Sequence, residues 1–295
     1  MTTDILLTGA GGQVAWEIEQ RATGAGLSVR ALSRTELDIS DSKAVHSTVA
    51  AVAPRVVINA AAYTAVDKAE GDKGRAFDVN RDGAGHLAAV CAAREITLVH
   101  LSTDYVFDGE SKHPYVEDDF TAPLGVYGES KLAGEAAVRA FLDRHIILRT
   151  AWVYGVHGNN FVKTMLRLGR ERDVLRVVDD QRGSPTFAGD IADALLLIAR
   201  RVISEALPEE AYGTFHYTGG GAVTWHGFAE QVFDLAAQNI GRRPKVEAIT
   251  TAEYPTPAKR PANSVLDCGK IGRTYGIMQR PWEESLKEML AKTLG

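Results

Sequence analysis

A tyrosine and a lysine four residues apart, Tyr127 and Lys131, are the pair in this sequence best suited to proton transfer. They begin a stretch, 127–137, whose composition favours a helix, and positions i and i+4 of a helix lie on one face. A free tyrosine has a pKa of about 10, which a neighbouring ammonium lowers by favouring the phenolate. Such a phenol can protonate a developing alkoxide. A surface tyrosine before a solvated lysine is the alternative reading of this pair.

A glycine-rich turn near the N-terminus is the next candidate site. Residues 4–8 are apolar and β-prone, and they are followed by Gly9, Gly12 and Ala15 and then by a helical stretch that ends at Arg21. In this context a backbone without side chains can approach a pyrophosphate, which the helix N-terminus then stabilises. The spacing therefore predicts a dinucleotide site. A tight strand-to-helix turn without a ligand is the alternative.

The end of the second predicted strand bears on the choice of cofactor. Residues 27–32 read as this strand, and Ser33 and Arg34 follow where a fold that prefers NAD usually has an acidic residue. A guanidinium suits a 2′-phosphate, so we predict NADPH, with NADH possible. A solvated loop arginine is the alternative. Asp38, further along, is expected near the adenine edge.

The order of predicted elements indicates the fold class. Apolar, β-prone segments at 56–59, 97–101 and 145–149 alternate with helical stretches. This alternation predicts an α/β protein with a Rossmann-type, doubly wound parallel sheet. The less regular second half predicts a smaller C-terminal substrate-binding lobe. We expect residues 1–152 to form the dinucleotide-binding domain and 153–295 mainly the lobe, with helix 188–201 returning to the first domain.

Composition argues against a nucleic-acid-binding protein and against a membrane-spanning one. The chain has 295 residues, 45% of them hydrophobic and 24% charged, and a formal net charge of −5. This charge argues against a broadly basic nucleic-acid surface, and no apolar run approaches the length of a membrane helix. The two cysteines, Cys91 and Cys268, form no C-x-x-C pair and are predicted to be free thiols. We therefore expect a cytoplasmic protein with no nucleic-acid or membrane partner.

Several longer motifs together resemble a known family. Over essentially its full length the chain resembles the dTDP-4-dehydrorhamnose reductases, a family of extended short-chain dehydrogenase/reductases. The run Ser-Thr-Asp-Tyr-Val-Phe-Asp-Gly at 102–109 is far more specific than the glycine turn. The other segments that carry the resemblance are 9–14, 37–41, 59–70, 123–131 and 149–155.

The resemblance implies roles for individual residues. Thr103 would bind the C4 carbonyl oxygen of the sugar, Tyr127 would donate the proton, and Lys131 would hold the nicotinamide ribose and lower the Tyr127 pKa. Asp104 and Trp152 would lie in the sugar pocket. Thr103 could instead cap a strand end and Trp152 could belong to the core. The positions that match cofactor-binding residues are Gly12, Gln13, Val14, Asp38, Ile39, Ala62, Tyr63 and Thr64.

Two arginines in the second half are candidates for phosphate binding. Arg182 follows a predicted strand at 174–178, in a loop that resembles the family's substrate-lobe loop. Arg260 lies in a second matching stretch, 259–264. Alternatively, Arg182 could lie at the rim of the lobe without a ligand. The stretch that contains Arg260 could be a turn that connects parts of the lobe.

No metal site is predicted from the sequence. The eight histidines are scattered without a His-x-x-x-His or Cys/His cluster. Some members of the family are described as using magnesium at a dimer contact formed by glutamates, but residues 187–193 here lack the expected glutamates. This departure puts both Mg²⁺ and that dimer in doubt, and either a monomer or a homodimer is expected.

The resemblance implies an NADPH-dependent reduction of a dTDP-linked 4-keto-6-deoxy sugar. Another nucleotide-sugar reductase or an epimerase of the extended short-chain family is the nearest alternative. A non-catalytic subunit, like the regulatory subunit of methionine adenosyltransferase, is a third. The presence of Thr103, Tyr127 and Lys131 together argues against an abandoned active site.

Overall fold

A parallel sheet forms the centre of the protein, whose computed structural model describes residues 3–295. The strands are β1 (Ile5–Thr8), β2 (Val29–Leu32), β3 (Val56–Asn59), β4 (Thr97–Thr103), β5 (His145–Thr150), β6 (Val153–Tyr154), β7 (Val174–Val178), β8 (Arg182–Gly183), β9 (Thr186–Phe187), β10 (Gly213–His216), β11 (Val223–Thr224) and β12 (Lys245–Ile249). Six of them pair in the order β10-β5-β4-β3-β1-β2, and every pair in this sheet is parallel.

Helices cover both faces of this sheet. The α-helices of residues 3–295 are α1 (Gln13–Ala22), α2 (Ser42–Val52), α3 (Val66–Ala69), α4 (Lys73–Phe77), α5 (Gly83–Ala93), α6 (Val126–Phe141), α7 (Phe161–Glu171), α8 (Ala188–Ser204), α9 (Trp225–Ile240), α10 (Gly269–Tyr275) and α11 (Trp282–Leu294). One apolar core joins α1, α8 and α10 to the sheet, and a second joins α2, α5 and α6 to its other face. The prediction of a doubly wound α/β fold is confirmed.

The strand order locates the ligand crevice. β1 lies between β2 and β3, so the chain leaves β1 toward one side of the sheet and crosses back to the other after β2. In open α/β sheets ligands bind outside the carboxyl ends of the strands at such a switch point. The glycine turn after β1 and the segment after β3 meet there.

A π-helical segment, Asp78–Asp82, joins α4 to α5. The chain is helical from Lys73 and changes its hydrogen-bonding pattern at this segment. Such single-turn π segments are frequent at functional sites. α6 packs directly on this segment because Gly134 has no side chain where it meets the backbone of Asn80.

The second half contributes to two cores. α7, α9 and α11 pack with the parallel pair β7–β12 into an apolar core of their own. α8 packs against α1, and β10 pairs with β5 at the edge of the main sheet. The division of the chain at residue 152 remains a prediction.

Cys91 and Cys268 are both buried free thiols, as predicted. Within residues 3–295, no helix combines the length and the hydropathy that a membrane crossing would require.

Candidate active site

The glycine turn after β1 has a backbone that side chains do not cover. Gly9 has a φ of +84°, and a Cβ there would come within 2.6 Å of the backbone nitrogen of Ala61. Gly11, which the sequence reasoning did not single out, has a φ of +86° and open space where its Cβ would point. Gly12 is the N-cap of α1 and gives the helix no side-chain cap. The first N–H groups of α1 are therefore available for an anion.

A loop from the second half lies over this turn. The Gln13 side-chain oxygen accepts a hydrogen bond from Nδ2 of Asn160 at 3.0 Å. His157 stacks on Trp16, and its Nε2 lies 3.0 Å from the carbonyl oxygen of Gly11. The next predicted cofactor residue, Val14, is buried inside α1. Nothing in the spacing of the sequence indicated the contacts of Asn160 and His157.

The residues after β2 form an open polar corner. Arg34 is 74% exposed and lies 3.7 Å from the Asp38 carboxylate, while Ser33 is hydrogen-bonded to Glu36. Arg75, which the sequence reasoning missed, donates to Asp38 at 2.6 Å. Hydrogen bonds from Ser40 and Arg75 outweigh burial and lower the Asp38 pKa to about 2. Asp38 is therefore an anion that can only accept hydrogen bonds.

The segment after β3 carries small side chains and one anchored tyrosine. Asn80, on the π-helical segment, bonds both backbone groups of Tyr63, accepting from its N–H at 2.8 Å and donating to its carbonyl at 3.1 Å. Ala62 is partly buried and Thr64 is exposed, whereas the side chain of Ile39 is buried. The fold thus brings the residues predicted to bind the adenine and nicotinamide halves to the same edge of the sheet.

Tyr127 and Lys131 lie on the first turns of α6 and face the carboxyl end of β4. Lys131 is 2% exposed, and its Nζ donates to the carbonyl oxygen of Leu101 at 2.7 Å. Burial lowers the pKa of Lys131 to about 8, although Glu135 opposes this effect. Tyr127 is partly buried against the edge of the Tyr105 ring, with ring centroids 5.4 Å apart.

The expected lowering of the Tyr127 pKa is wrong for this structure. Burial raises that pKa above its ordinary value, Asp104 and Tyr105 add to the rise, and a hydrogen bond with Thr103 opposes it. Nζ of Lys131 is directed at the carbonyl oxygen of Leu101. The phenol therefore carries its proton, as a donor must, but it is a weaker acid than a free tyrosine.

Thr103 and Asp104 complete this group at the end of β4. Oγ1 of Thr103 donates to Oδ1 of Asp104 at 2.9 Å, and both residues are buried. Oδ2 of Asp104 is buried without a hydrogen-bond partner. Burial raises the Asp104 pKa to about 6 despite hydrogen bonds from Thr103 and Ser264.

Trp152, Arg182 and Arg260 lie near one another, because the backbone of Arg182 bonds that of Ala262 and the Trp152 indole donates to Ser264, but the two arginines line different depressions. Trp152 has a φ of +48° and stacks on Trp225, with centroids 3.5 Å apart. Arg260 donates to Asp67 at 2.8 Å and lines a cleft of about 920 Å³ that also contains Trp225. Arg182 is exposed and lines a separate depression with residues 109–114. The structure therefore groups Arg260, rather than Arg182, with the larger cleft.

Among residues 3–295, no three His, Cys, Asp or Glu side chains converge closely enough to hold a metal ion.

Comparison with known proteins identifies the family. The family model described as RmlD substrate binding domain matches residues 2–294. The dTDP-4-dehydrorhamnose reductases of Sinorhizobium fredii and Aggregatibacter actinomycetemcomitans are each 46% identical to the chain, over 97% of its length and 96% and 98% of theirs. The chain belongs to the dTDP-4-dehydrorhamnose reductase family. The family resemblance predicted from the sequence motifs is confirmed.

Solved structures of the dTDP-4-dehydrorhamnose reductase family have the same fold. The Clostridium acetobutylicum member superposes with a TM-score of 0.91 at 42% identity, covering 98% of this chain and 99% of the other. A Bacillus anthracis member, solved in complex with NADP, also gives 0.91, at 34% identity over 99% of this chain and all of the other. The roles of individual site residues in this chain remain predictions.

Proposed function

We propose that this protein reduces dTDP-4-dehydro-L-rhamnose to dTDP-L-rhamnose with NADPH. The observation that carries the proposal is the convergence of Thr103, Tyr127 and Lys131 at the carboxyl end of β4, next to the crevice at the glycine turn. Membership of the reductase family makes this reaction the best supported among those of the extended short-chain enzymes.

The glycine turn fits a dinucleotide. Gly9 and Gly11 adopt backbone conformations that a side chain would strain, and the N-terminus of α1 has no side-chain cap. Gly12, Gln13 and Val14 would hold the pyrophosphate. Arg34, exposed at the end of β2, would bind a 2′-phosphate together with Ser33.

The remaining cofactor contacts follow β2 and β3. Asp38 and Ile39 would bind the adenine, Ala62, Tyr63 and Thr64 would line the path of the cofactor, and Lys131 would hold the nicotinamide ribose. NADPH supplies the hydride when it is bound.

The chain's own residues handle the substrate oxygen. Thr103 would turn its single hydroxyl proton from Asp104 to the C4 carbonyl oxygen when substrate binds, and so fix the position of that oxygen. Tyr127 would protonate that oxygen as negative charge develops. Orientation of these two groups on rigid elements, β4 and α6, supplies much of the rate.

The cleft beside Trp225 would hold the nucleotide part of the substrate. Its walls include Phe161, Trp225 and Tyr254, which offer flat apolar surfaces, and Arg260, which offers a cation for a diphosphate. Trp152, stacked on Trp225, and Asp104 would border the sugar. Arg182 would contact phosphate only from the separate depression and is the weaker of the two arginine candidates.

One assay tests the function directly. The dTDP-4-keto sugar is generated in situ, and NADPH absorbance is followed and then repeated with NADH. Steady consumption of NADPH, with dTDP-L-rhamnose as product, is expected, and NADH should be used less well. Conversion of the sugar without net NADPH loss would instead indicate an epimerase, and no turnover of any nucleotide sugar would contradict the proposal.

A further inference from the structure

A chain of polar side chains crosses the interior of the sheet from β1 to α6. The Thr8 hydroxyl donates to Oδ1 of Asn59 at 2.6 Å, and Nδ2 of Asn59 lies 2.9 Å from Nδ1 of His100. The other ring nitrogen of His100, Nε2, lies 3.4 Å from Nζ of Lys131. Each of the four residues is at most 2% exposed, so water does not compete for these contacts.

One backbone contact determines which group donates in each of these hydrogen bonds. The N–H of Ala61 points at Oδ1 of Asn59 at 3.1 Å, and an N–H can only donate, so that atom must be the amide oxygen. The other amide atom of Asn59 is then the NH₂ group, which donates to Nδ1 of His100. A neutral imidazole has one donor and one acceptor nitrogen. The proton of His100 must therefore lie on Nε2, facing Lys131.

This arrangement discriminates between the two forms of Lys131. An ammonium has three donors and no acceptor, so it cannot accept a hydrogen bond from Nε2–H of His100. The neutral amine can accept that bond and still donate to the carbonyl of Leu101, which lies 2.7 Å from Nζ.

Burial and neighbouring charged groups also shift the pKa values of Lys131 and His100. Glu135 favours the ammonium of Lys131, whereas burial disfavours it. Burial lowers the His100 pKa well below its ordinary value, and His145 and Arg139 also disfavour a charged ring. His100 is therefore neutral, as the assignment of a single proton to its Nε2 requires.

We propose that His100 is a positioning residue: Thr8 and Asn59 hold its ring with the proton on Nε2, and this N–H favours the neutral amine of Lys131 over the ammonium. The inference rests on the proposed function, in which Lys131 holds the nicotinamide ribose beside Tyr127. A neutral amine can accept as well as donate a hydrogen bond, so it can bind a ribose hydroxyl in either orientation.

The position of the proton is measured first, in the full-length protein labelled with ¹⁵N-histidine. The resonances of His100 are those lost in His100→Asn. We expect a protonated Nε2 and an unprotonated Nδ1 over the whole pH range in which the protein is folded. In Asn59→Asp both side-chain oxygens accept, so the proton of His100 should move to Nδ1. A proton on Nδ1 in the wild type, or a doubly protonated ring at neutral pH, overturns the proposal.

The effect on Lys131 is measured by titrating its ε-carbon resonance in protein labelled with ¹³C-lysine, assigned by Lys131→Met. His100→Asn keeps an acceptor for Asn59 but no longer reaches Lys131. Loss of the Nε2–H bond removes support for the neutral amine, so the Lys131 midpoint should rise by about half to one pH unit. The pH profile of kcat/KM should shift in the same direction.

A second buried histidine provides the matched control. His216 on β10 is 0% exposed and contacts Arg149 rather than Lys131, so His216→Asn should leave the Lys131 midpoint unchanged. An equal shift in both variants, or none in His100→Asn, overturns the proposal. The two resonance measurements need no turnover, so failure of the reductase assay and failure of this inference are distinguishable. If His100→Asn does not fold, the His100 resonances are assigned by their change in Asn59→Asp, and a proton on Nδ1 in the wild type still overturns the proposal.

Discussion

A Cβ atom on Gly134 would overlap the carbonyl oxygen of Asn80, so α6 meets the π-helical segment backbone against backbone. Gly128, one and a half turns earlier in α6, meets the carbonyl of Tyr105 in the same way. These two contacts fix the helix that carries Tyr127 and Lys131 against the elements that carry Asn80 and Tyr105.

Gly134→Ala should lower stability although alanine is the better helix former. The added methyl group must displace backbone rather than a flexible side chain, so we expect a loss of about 1–3 kcal/mol, seen as a lower Tm and urea midpoint. Gly85→Ala in α5 is the control, because its Cβ would meet Ala137 at an ordinary distance of 3.4 Å. Equal stability of the two variants would contradict the close approach at Gly134.

Tyr127→Phe should fold and bind NADPH but lose most of its turnover. Removal of the proton donor is expected to lower kcat by about 10²–10⁴-fold, measured as NADPH oxidation, with cofactor binding followed by fluorescence. Tyr212→Phe removes a hydroxyl that contacts Arg144 away from the site and should leave kcat unchanged. Unchanged turnover in Tyr127→Phe would remove this residue from the acid role.

Arg34→Ala should weaken NADPH binding more than NADH binding. A lost charged contact to a 2′-phosphate corresponds to about a 10-fold increase in the NADPH Kd, and NADH has no group there to lose. Competition titrations of both cofactors measure the ratio. Arg94→Ala, at the exposed end of α5, is the control for the loss of one surface charge. Equal effects of Arg34→Ala on both cofactors would show that Arg34 does not bind the 2′-phosphate of NADPH.

Asp104 should give the protein a pH-dependent stability. Its pKa in the folded protein is about 6, above the ordinary value of 3.8, so the folded form holds the proton more tightly than the unfolded chain. The free energy of unfolding should therefore fall as pH rises from about 4 to about 6, by up to about 3 kcal/mol.

Asp104→Asn cannot titrate and tests this expectation by urea unfolding across that range. The variant should lose the slope that the wild type shows, whereas Asp143→Asn, at an exposed turn, should retain it. Identical slopes in wild type and Asp104→Asn would show that the carboxyl is not desolvated.

Trp225→Ala should raise the KM for the sugar nucleotide with little change in the KM for NADPH. Trp225 lines the large cleft and supports Trp152, whose φ of +48° is rarely adopted by a residue with a bulky side chain. A KM increase of about 10-fold is expected from the lost aromatic surface. An unchanged KM would place the nucleotide elsewhere.

Periodicity and motifs predicted the sheet and most helices well, since buried parallel strands read as short apolar runs between helices. β3 and β7 lie where predicted, and α8 begins at Ala188 as predicted. The π-helical segment was missed because its sequence, 78–82, reads as ordinary helix and its altered bonding depends on packing against α6.

Site prediction depended on whether a residue acts through its own motif or through distant contacts. Tyr127 and Lys131 lie on one helix, and their spacing alone set their relative position. His100, Arg75 and Asn160 reach the site only through contacts with residues 31 to 147 positions away, which no local pattern encodes. The pKa of Tyr127 was misjudged because burial, which spacing cannot reveal, dominates it.

The loop at 155–160 has a consequence for engineering by exchange of segments. It joins β6 to α7, yet His157 and Asn160 contact the glycine turn near the start of the chain. A chimera that takes its second half from another family member would therefore bring a different loop into contact with the native glycine turn. Such hybrids should work only when Gln13 and Trp16 are transplanted along with their partners.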